Sequence, residues 1–493
     1  MNTSIIRYVL GNVLKVEGIL LLIPALIAII YQENIIVFYL ASALLCLLFG
    51  ILMTLRKPKT TIFYLKEGCM TTALSWILLS FFGCLPFWCS GEIPVFTDAL
   101  FETISGFTTT GASILNDVEA LSKTSLFWRS FTHWIGGMGV LVFLLAIIPL
   151  SGGSNINLMR AESPGPSVGK LVPKMRYTAR ILYLIYFGMT LLENILLIIG
   201  GMPVFEAVCT SFGTAGTGGF GVLNSSIAGY APHLQWIVTI FMILFGVNFN
   251  AYYLILFRKF KKAFTMSEVR VYLLIMFTAI AIVFFDILEM STGIFDALTK
   301  SSFQVASIMT TTGFATTDFS LWPQTSKVVL VLLMFIGGCA GSTSGGIKVS
   351  RFVIVCKTIV KELNSYIHPK SIKKIQMDGK PIEHDVIRSI NVYFITFVLL
   401  FSFSILLVSL EGKDLVTSFT AVAATINNVG PGLELVGPTQ NFSPLSPFSK
   451  WVLMFDMLAG RLELFPLLIL FHPALWKELF TKKLGSRKVE IHD

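Results

Sequence analysis

The chain has 493 residues, of which 54% are apolar before its 39 glycines are counted, and only 13% are charged. An average soluble chain holds roughly 45–50% apolar residues with glycine included, and about 25% charged ones. A globule this apolar could not clothe its surface in polar groups, which excludes a cytosolic enzyme, a disordered chain and a secreted disulfide scaffold, and the net charge of +9 suggests nucleic acid only until the charges are mapped.

A bilayer crossing needs about 20 apolar residues. In chain order such stretches fall near 9–31, 35–55, 69–90, 126–150, 179–201, 234–257, 269–290, 326–360, 389–410 and 448–473, which makes ten. An even number puts both termini on one side. Of the 37 Lys and Arg, 28 lie in five clusters: Arg56 to Lys66, Arg160 to Arg180, Arg258 to Arg270, Lys348 to Arg388, and Lys477 to Lys488. Short segments between them, such as Glu92 to Asp98 and Glu411 to Asp414, are poor in both. This asymmetry puts the clusters and both termini in the cytoplasm. Membrane lipid headgroups are then the counter-charge, and no nucleic acid is called for. Cys46, Cys69, Cys84, Cys89, Cys209, Cys339 and Cys356 form no Cys-x-x-Cys pair and read as small buried hydrophobes. The apolar run from Gly18 to Tyr31 has no small-residue cleavage site after it, so it reads as a span and not a signal peptide.

Four shorter segments lie between spans on the outer side: DALFETISGFTTTGAS from Asp98, EAVCTSFGTAGTGGFG from Glu206, SSFQVASIMTTTGFATTD from Ser301, and SFTAVAATINNVGPGL from Ser418. Each reads as a helix followed by a Thr/Asn-Gly turn, and each is too short to cross. A helix that enters lipid and turns back must be enclosed by protein or face water. The turns end on Gly111, Gly219, Gly313 and Gly430, spaced by 108, 94 and 117 residues. The first two segments share a PVF lead-in, at Pro94 and Pro203. The reading is four span–loop–span repeats after two leading spans. The expected divisions are 1–60 for the leading spans, then 61–160, 161–262, 263–375 and 376–493 for the repeats. The fold class is an all-α polytopic membrane protein with a pseudo-fourfold pore.

Four such helices around one axis would direct their C-terminal ends, each bearing about half a negative charge, toward one point. Carbonyls of the four turns can then replace the hydration shell of a monovalent cation. Glycine permits the backbone conformations this needs. No soft ligands and no dense carboxylate ring are present, which argues against a transition metal and against calcium. No nucleophile–base arrangement stands out, so no enzyme is expected. The plain alternative is that Thr-Gly clusters at span ends are only turns; their recurrence in four repeats argues against it.

These loops resemble those of the bacterial TrkH potassium-uptake subunits of the Trk/Ktr/HKT superfamily. So do WIGGMG (Trp134 to Gly139), RAESPGP (Arg160 to Pro166) and GSTSGGIK (Gly341 to Lys348). The resemblance covers essentially the whole chain. It implies a multi-pass protein of the bacterial cytoplasmic membrane that passes potassium inward, usually as a homodimer. It also implies gating by a cytosolic nucleotide-binding ring, TrkA. Potassium is the cargo, and no organic cofactor is implied. The filter carries over as Thr109, Thr110 and Gly111; Thr217, Gly218 and Gly219; Thr311, Thr312 and Gly313; and Asn428, Val429 and Gly430.

The eighth span contains GGCAGSTSGG at 337–346. With about 1 kcal/mol lost per Gly relative to Ala, a continuous helix is disfavoured there. A phosphate loop fails on spacing, because Ile347 and not Lys follows Gly346. A close-packing site for a neighbouring span remains open. The other reading, supported by the resemblance, is an intramembrane gating loop containing Gly337, Gly338, Gly341, Gly345, Gly346 and Lys348. Arg461 lies within the last span, where an ionisable group is costly. It either pairs with Asp456 or Glu463 or faces the pore as a second gate element, the role that the resemblance implies. His133 is placed near an interface. Glu193, Asn194, Asn248, Asn250, Asp286 and Glu289 either line a path or join spans. The basic segment from Arg351 to Arg388 either anchors to headgroups or docks the regulatory ring. A gated channel is the first reading of the mechanism, and a potassium symporter coupled to protons or sodium is the alternative.

Overall fold

The computed structural model describes residues 2–58, 64–139, 175–369 and 374–477. RAESPGP, the second half of the 126–150 span and the C-terminal basic cluster beyond Lys477 lie outside them. The described residues are almost entirely helical. Their strands are one short antiparallel pair, β1 (Gln376–Met377) and β2 (Lys380–Pro381).

The chain opens with α1 (Thr3–Leu20) and α2 (Leu22–Ile30), which together are long and apolar enough for one span, and α3 (Ile36–Thr54) returns. Pro24 lacks the N–H that would bond Leu20, which explains the break at Leu21. Small residues bring α1 and α3 together: a Cβ on Gly50 would strike the Gly11 carbonyl. Next come α4 (Leu65–Gly83), α5 (Leu85–Ser90), α6 (Phe96–Phe107) and α7 (Lys123–Gly137). Glu33, in the turn after α2, accepts from the backbone N–H of Lys123 (2.8 Å) and Thr124 (3.0 Å). It thereby caps α7 and ties the leading pair of spans to that helix.

With α4–α7 as unit one, unit two holds α8 (Met175–Ile199), α9 (Val204–Gly216), α10 (Pro232–Phe245) and α11 (Phe249–Leu256). After α12 (Phe260–Phe264), the third unit holds α13 (Ser267–Ile287), α14 (Ile294–Met309), α15 (Gln324–Phe335) and α16 (Val349–Ile367). The fourth holds α17 (His384–Ser409), α18 (Leu415–Ile426), α19 (Pro447–Arg461) and the short α20 (Phe465–Leu468). Acidic caps recur where a long helix meets the start of a later one. Asp286 accepts from Ser326 N–H at 3.0 Å, and Glu411 accepts from Ser446 N–H at 2.9 Å. Asp286, a candidate path residue in the sequence, is therefore a helix cap.

Among the described residues, six helical stretches are long and apolar enough to cross a membrane, or seven if α10 and α11, bent by 91°, count as one span. The remaining expected spans are not single long helices. Near 326–360, α15 is only 12 residues long, about 18 Å, before the glycine loop interrupts it. Near 448–473, α19 runs 15 residues and stops at Arg461, where Glu463 and Leu464 take positive φ. The helix of 126–150 is described only as far as Gly137.

Candidate functional site

The helices α6, α9, α14 and α18 end in the same way. In each, the residue two before the key glycine is left-handed: Thr109 (φ 54°), Thr217 (53°), Thr311 (57°) and Asn428 (56°). Each then donates to the carbonyl three residues back: Thr109 to Gly106, Thr217 to Thr214, Thr311 to Ile308, Asn428 to Thr425, at 3.0–3.1 Å. The next residue donates five back: Thr110 to Ser105, Gly218 to Gly213, Thr312 to Ser307, Val429 to Ala424, at 2.8–2.9 Å. This pair of bonds is the Schellman cap, which ordinarily puts Gly at the left-handed position. Here Thr and Asn occupy it, at roughly 1–2 kcal/mol each. Such strain persists only where the surroundings enforce it, and it marks functional sites. The key glycines follow, also left-handed, at φ 79°, 79°, 86° and 99°.

The four turns touch in a closed ring. A Cβ on Gly111 would strike the Gly218 carbonyl oxygen, and one on Gly219 the Thr312 oxygen. One on Gly313 would strike the Val429 oxygen, and one on Gly430 the Thr110 oxygen. Each turn thus abuts the next in chain order, and the fourth closes on the first. The same space is denied to any side chain at all four glycines. All four line one recess of about 200 Å³, together with Asn116, Asn224, Pro431 and Arg129 among others. Asn428 Nδ2 further joins turn four to Thr110 Oγ1 (2.9 Å) and to the Met457 carbonyl (2.9 Å).

The WIGGMG stretch supports this ring from behind. A Cβ on Gly136 would strike the Phe107 carbonyl oxygen, and one on Gly137 would crowd Gly216. Only glycine lets α7 lie that close to the ends of α6 and α9. His133 is fully buried beside them. Its Nε2 accepts from Phe220 N–H (3.2 Å), so Nδ1 carries the proton and donates to the Gly106 carbonyl (2.8 Å). His133 is therefore a strut between the first and second turns, deeper than the interface position expected from the sequence.

Residues 337–348 form a loop whose ends are zipped together. Ile336 and Ile347 pair as a parallel bridge, Gly337 N–H donates to the Ile347 carbonyl (3.0 Å), and Val349 N–H to the Gly338 carbonyl (3.2 Å). The break between α10 and α11 is its socket: Cys339 N–H donates to the Gly246 carbonyl (2.9 Å), and Phe249 N–H to the Gly341 carbonyl (3.1 Å). Glu268, at the start of α13, clamps both ends by accepting from Ala340 N–H (2.6 Å) and Ser350 N–H (3.1 Å). At the tip, Gly345 N–H donates to Thr311 Oγ1 (2.6 Å), and a Cβ on Gly345 would press on Asn427 and Asn428. Lys348 Nζ turns back to the carbonyls of Ser344 and Gly345, and Gly346 is left-handed (φ 64°). The loop therefore lies against turns three and four on the helix side of the ring.

Arg461 crosses to the same place. Its guanidinium donates to the Thr343 carbonyl in the loop (2.9 Å), and to the carbonyls of Gly136 and Gly137 (2.9 Å to the latter). Its candidate partners are engaged elsewhere. Glu463 pairs with Arg351, whose guanidinium also lies 4.1 Å over the Tyr393 ring, and Asp456 accepts from Ser404 Oγ (2.7 Å). Units one, three and four thus meet beneath the ring through Arg461. Glu268 and the buried Glu102–Arg129 pair (2.8 Å) were not singled out by sequence. Glu268 is held from Asn248, Ala340 and Ser350, 20 to 82 residues away, and Glu102 pairs with Arg129, 27 residues on, so no local pattern marks them; the one available signal is an ionisable residue in an apolar stretch. Among the described residues no group of His, Cys, Asp or Glu could hold a metal ion.

A family model described as "TrkH: Cation transport protein" matches residues 35–478. The chain is 34% identical over 488 residues to the Trk system potassium uptake protein TrkH of Salmonella typhimurium, covering 97% of this chain and 100% of that one. It is also 34% identical over 489 residues to TrkG of Escherichia coli K12, with the same coverage. Among solved structures, the potassium transporter TrkH from Vibrio parahaemolyticus superposes with a TM-score of 0.87 at 32% identity. That match covers 97% of this chain and all of the other. These relatives are transport proteins and not enzymes. On this ground the chain belongs to the TrkH family of cation transport proteins, the membrane transporters of the Trk potassium-uptake systems.

Proposed function

We propose that the ring of four turns is a potassium-selective filter and that the 337–348 loop with Arg461 closes the path below it. The observation that carries this reading is the cyclic contact of four turns with one shared backbone conformation. Carbonyls of Thr109, Thr110, Gly111, Thr217, Gly218, Gly219, Thr311, Thr312, Gly313, Asn428, Val429 and Gly430 would surround a dehydrated cation, as a potassium filter requires. The C-terminal ends of α6, α9, α14 and α18 add a favourable field. The architecture is then ten crossings: two leading spans (1–60) and four pore repeats (61–160, 161–262, 263–375, 376–493) about a pseudo-fourfold axis.

The broken helices follow from the gate. A continuous eighth span would leave no loop beneath the filter. The Gly337, Gly338, Gly341, Gly345 and Gly346 backbone fills the path while Lys348 and Arg461 add positive charge that repels cations. Inward flux would be driven by the membrane potential, about 2.3 kcal/mol per charge per 100 mV. We place the protein in the bacterial cytoplasmic membrane with both termini inside, as a homodimer. A TrkA-like nucleotide-binding subunit would work the gate through the basic segment between Arg351 and Arg388. The test of the filter is Gly313→Ser: rubidium flux should fall and sodium should permeate relatively better. Unchanged flux and unchanged ion preference would contradict the assignment.

A further inference from the structure

The four pore-helix positions nine residues before the key glycines are Glu102, Thr210, Gln304 and Ala421. Among these aligned positions only the first bears a charge. Glu102 is buried, and its carboxylate gathers several donors from the segment that leaves turn one. Ser113 Oγ lies at 3.0 Å and 3.1 Å from the two oxygens, and Ile114 N–H donates at 3.0 Å. Arg129 Nε of α7 donates to it at 2.8 Å. Arg129 then reaches the second unit: Nη1 donates to the Gly221 carbonyl (3.2 Å), and the guanidinium lies 4.1 Å over the Phe220 ring. A single ion pair therefore holds the segment after Gly111 and the segment after Gly219 in fixed register. In unit three the neutral Gln304 makes one weaker link, from Nε2 to Thr316 Oγ1 at 3.3 Å.

The pair has an electrostatic side as well. Arg129 lines the recess above the four glycines, on the path a cation would take. An unpaired guanidinium there would repel cations, and Glu102 neutralises it. A buried pair is a costly way to gain stability, because two charges must be desolvated. Its retention behind one quarter of the ring is better explained by what it positions.

We infer that Glu102 and Arg129 are positioning residues that set the selectivity and the cation access of the ring, an inference that rests on reading the ring as a filter. Neither touches the ion; they set the ratio through the backbone of turns one and two, and the access through the Arg129 charge that Glu102 cancels at the recess.

The test is isotope flux into liposomes with purified full-length protein, measured for rubidium and sodium in parallel. Glu102→Gln keeps the shape that Gln304 shows to be tolerated, and removes the charge. It should raise the sodium-to-rubidium flux ratio roughly fivefold or more and lower rubidium flux, most at low ionic strength, because the Arg129 charge is then exposed to the recess. The double variant Glu102→Gln with Arg129→Gln should recover rubidium flux but keep the altered ratio. Ser113→Ala should shift the ratio the same way by less. Asp98→Asn, which breaks the Lys450–Asp98 pair (2.7 Å) at the far end of α6, should leave the ratio unchanged.

A Glu102→Gln ratio equal to wild type, with Gly313→Ser shifting it, would overturn this inference and leave the filter reading standing. Flux that falls with an unchanged ratio in every Glu102 and Ser113 variant would mean a merely structural pair, and would overturn it too. If Gly313→Ser leaves the ratio unchanged, the filter reading itself fails and this inference with it.

Discussion

At the residue scale the site rests on eight left-handed residues, four of them Thr or Asn. Each key glycine faces a neighbouring carbonyl where a Cβ would sit. Gly313→Ala would therefore meet both the left-handed penalty, about 1–2 kcal/mol, and the Val429 oxygen. We expect rubidium flux to drop by roughly tenfold or more, with the folded protein still recovered from the membrane. A quieter residue is Asp414, the N-cap of α18, whose Oδ2 accepts from Thr417 N–H at 2.9 Å. Hydrogen bonds from the Thr417 side chain and backbone hold its carboxyl below the ordinary carboxylate range. A lowered native value means that the cap contributes fully above the unfolded value, near 4, and fades as pH falls through the native one. Asp414→Ala should cost about 1 kcal/mol at neutral pH. In a melting series on detergent-solubilised protein, its deficit should shrink as the pH is lowered below about 4. A deficit independent of pH would mean that the carboxylate is not the cap. The four glycines were legible in the sequence because each ends a Thr/Asn-Gly turn that follows a short apolar helical segment between two spans. The left-handed Thr before them was not, since no side-chain pattern announces a positive φ in a residue that usually avoids it.

At the element scale the spans that bound the site are broken, and each break has a use. The gap between α10 and α11 exposes the Gly246 carbonyl and the Phe249 N–H that hold the loop. The stop after α19 lets Arg461 turn toward the loop and α7. Hydrogen bonds to charged groups contribute about 1.5–3 kcal/mol each. Arg461→Ala should therefore raise rubidium leak through the protein alone by about tenfold or more, since 1.4 kcal/mol is a tenfold change in population. Gly345→Ala should also raise leak, because its Cβ would push the tip off Asn427 and Asn428. A leak unchanged in both variants would remove the loop and Arg461 from the gate. Five glycines in ten residues made the break in the eighth span legible. The break in the tenth was hidden because Arg461, Leu462, Glu463 and Leu464 carry no Gly or Pro before Pro466. The Glu268 clamp was hidden for another reason: it is a tertiary contact, and its donors are Asn248, Ala340 and Ser350 across two units.

At the scale of the whole molecule the ring is hooped on its open face by hydrogen bonds between successive units. Val118 N–H donates to Asn224 Oδ1 (2.7 Å), and Ile227 N–H to the Ala315 carbonyl (3.0 Å). Thr439 Oγ1 donates to Asp318 Oδ2 (3.2 Å), and Phe442 N–H to the Ser113 carbonyl (2.8 Å), which returns to the first unit. The hoop and the ring share one cyclic order, which would brace the proposed filter. The decisive measurement for a passive, gated filter is rubidium influx into liposomes under a voltage alone, with neither a proton nor a sodium gradient. It should be run on wild type, Arg461→Ala and Arg461→Ala with Gly313→Ser. A gated filter gives voltage-driven uptake in Arg461→Ala that excess external potassium blocks, and loses its ion preference when Gly313→Ser is added. Uptake that appears only when a proton or sodium gradient is imposed, in wild type and Arg461→Ala alike, would contradict a passive filter and establish a coupled symporter instead.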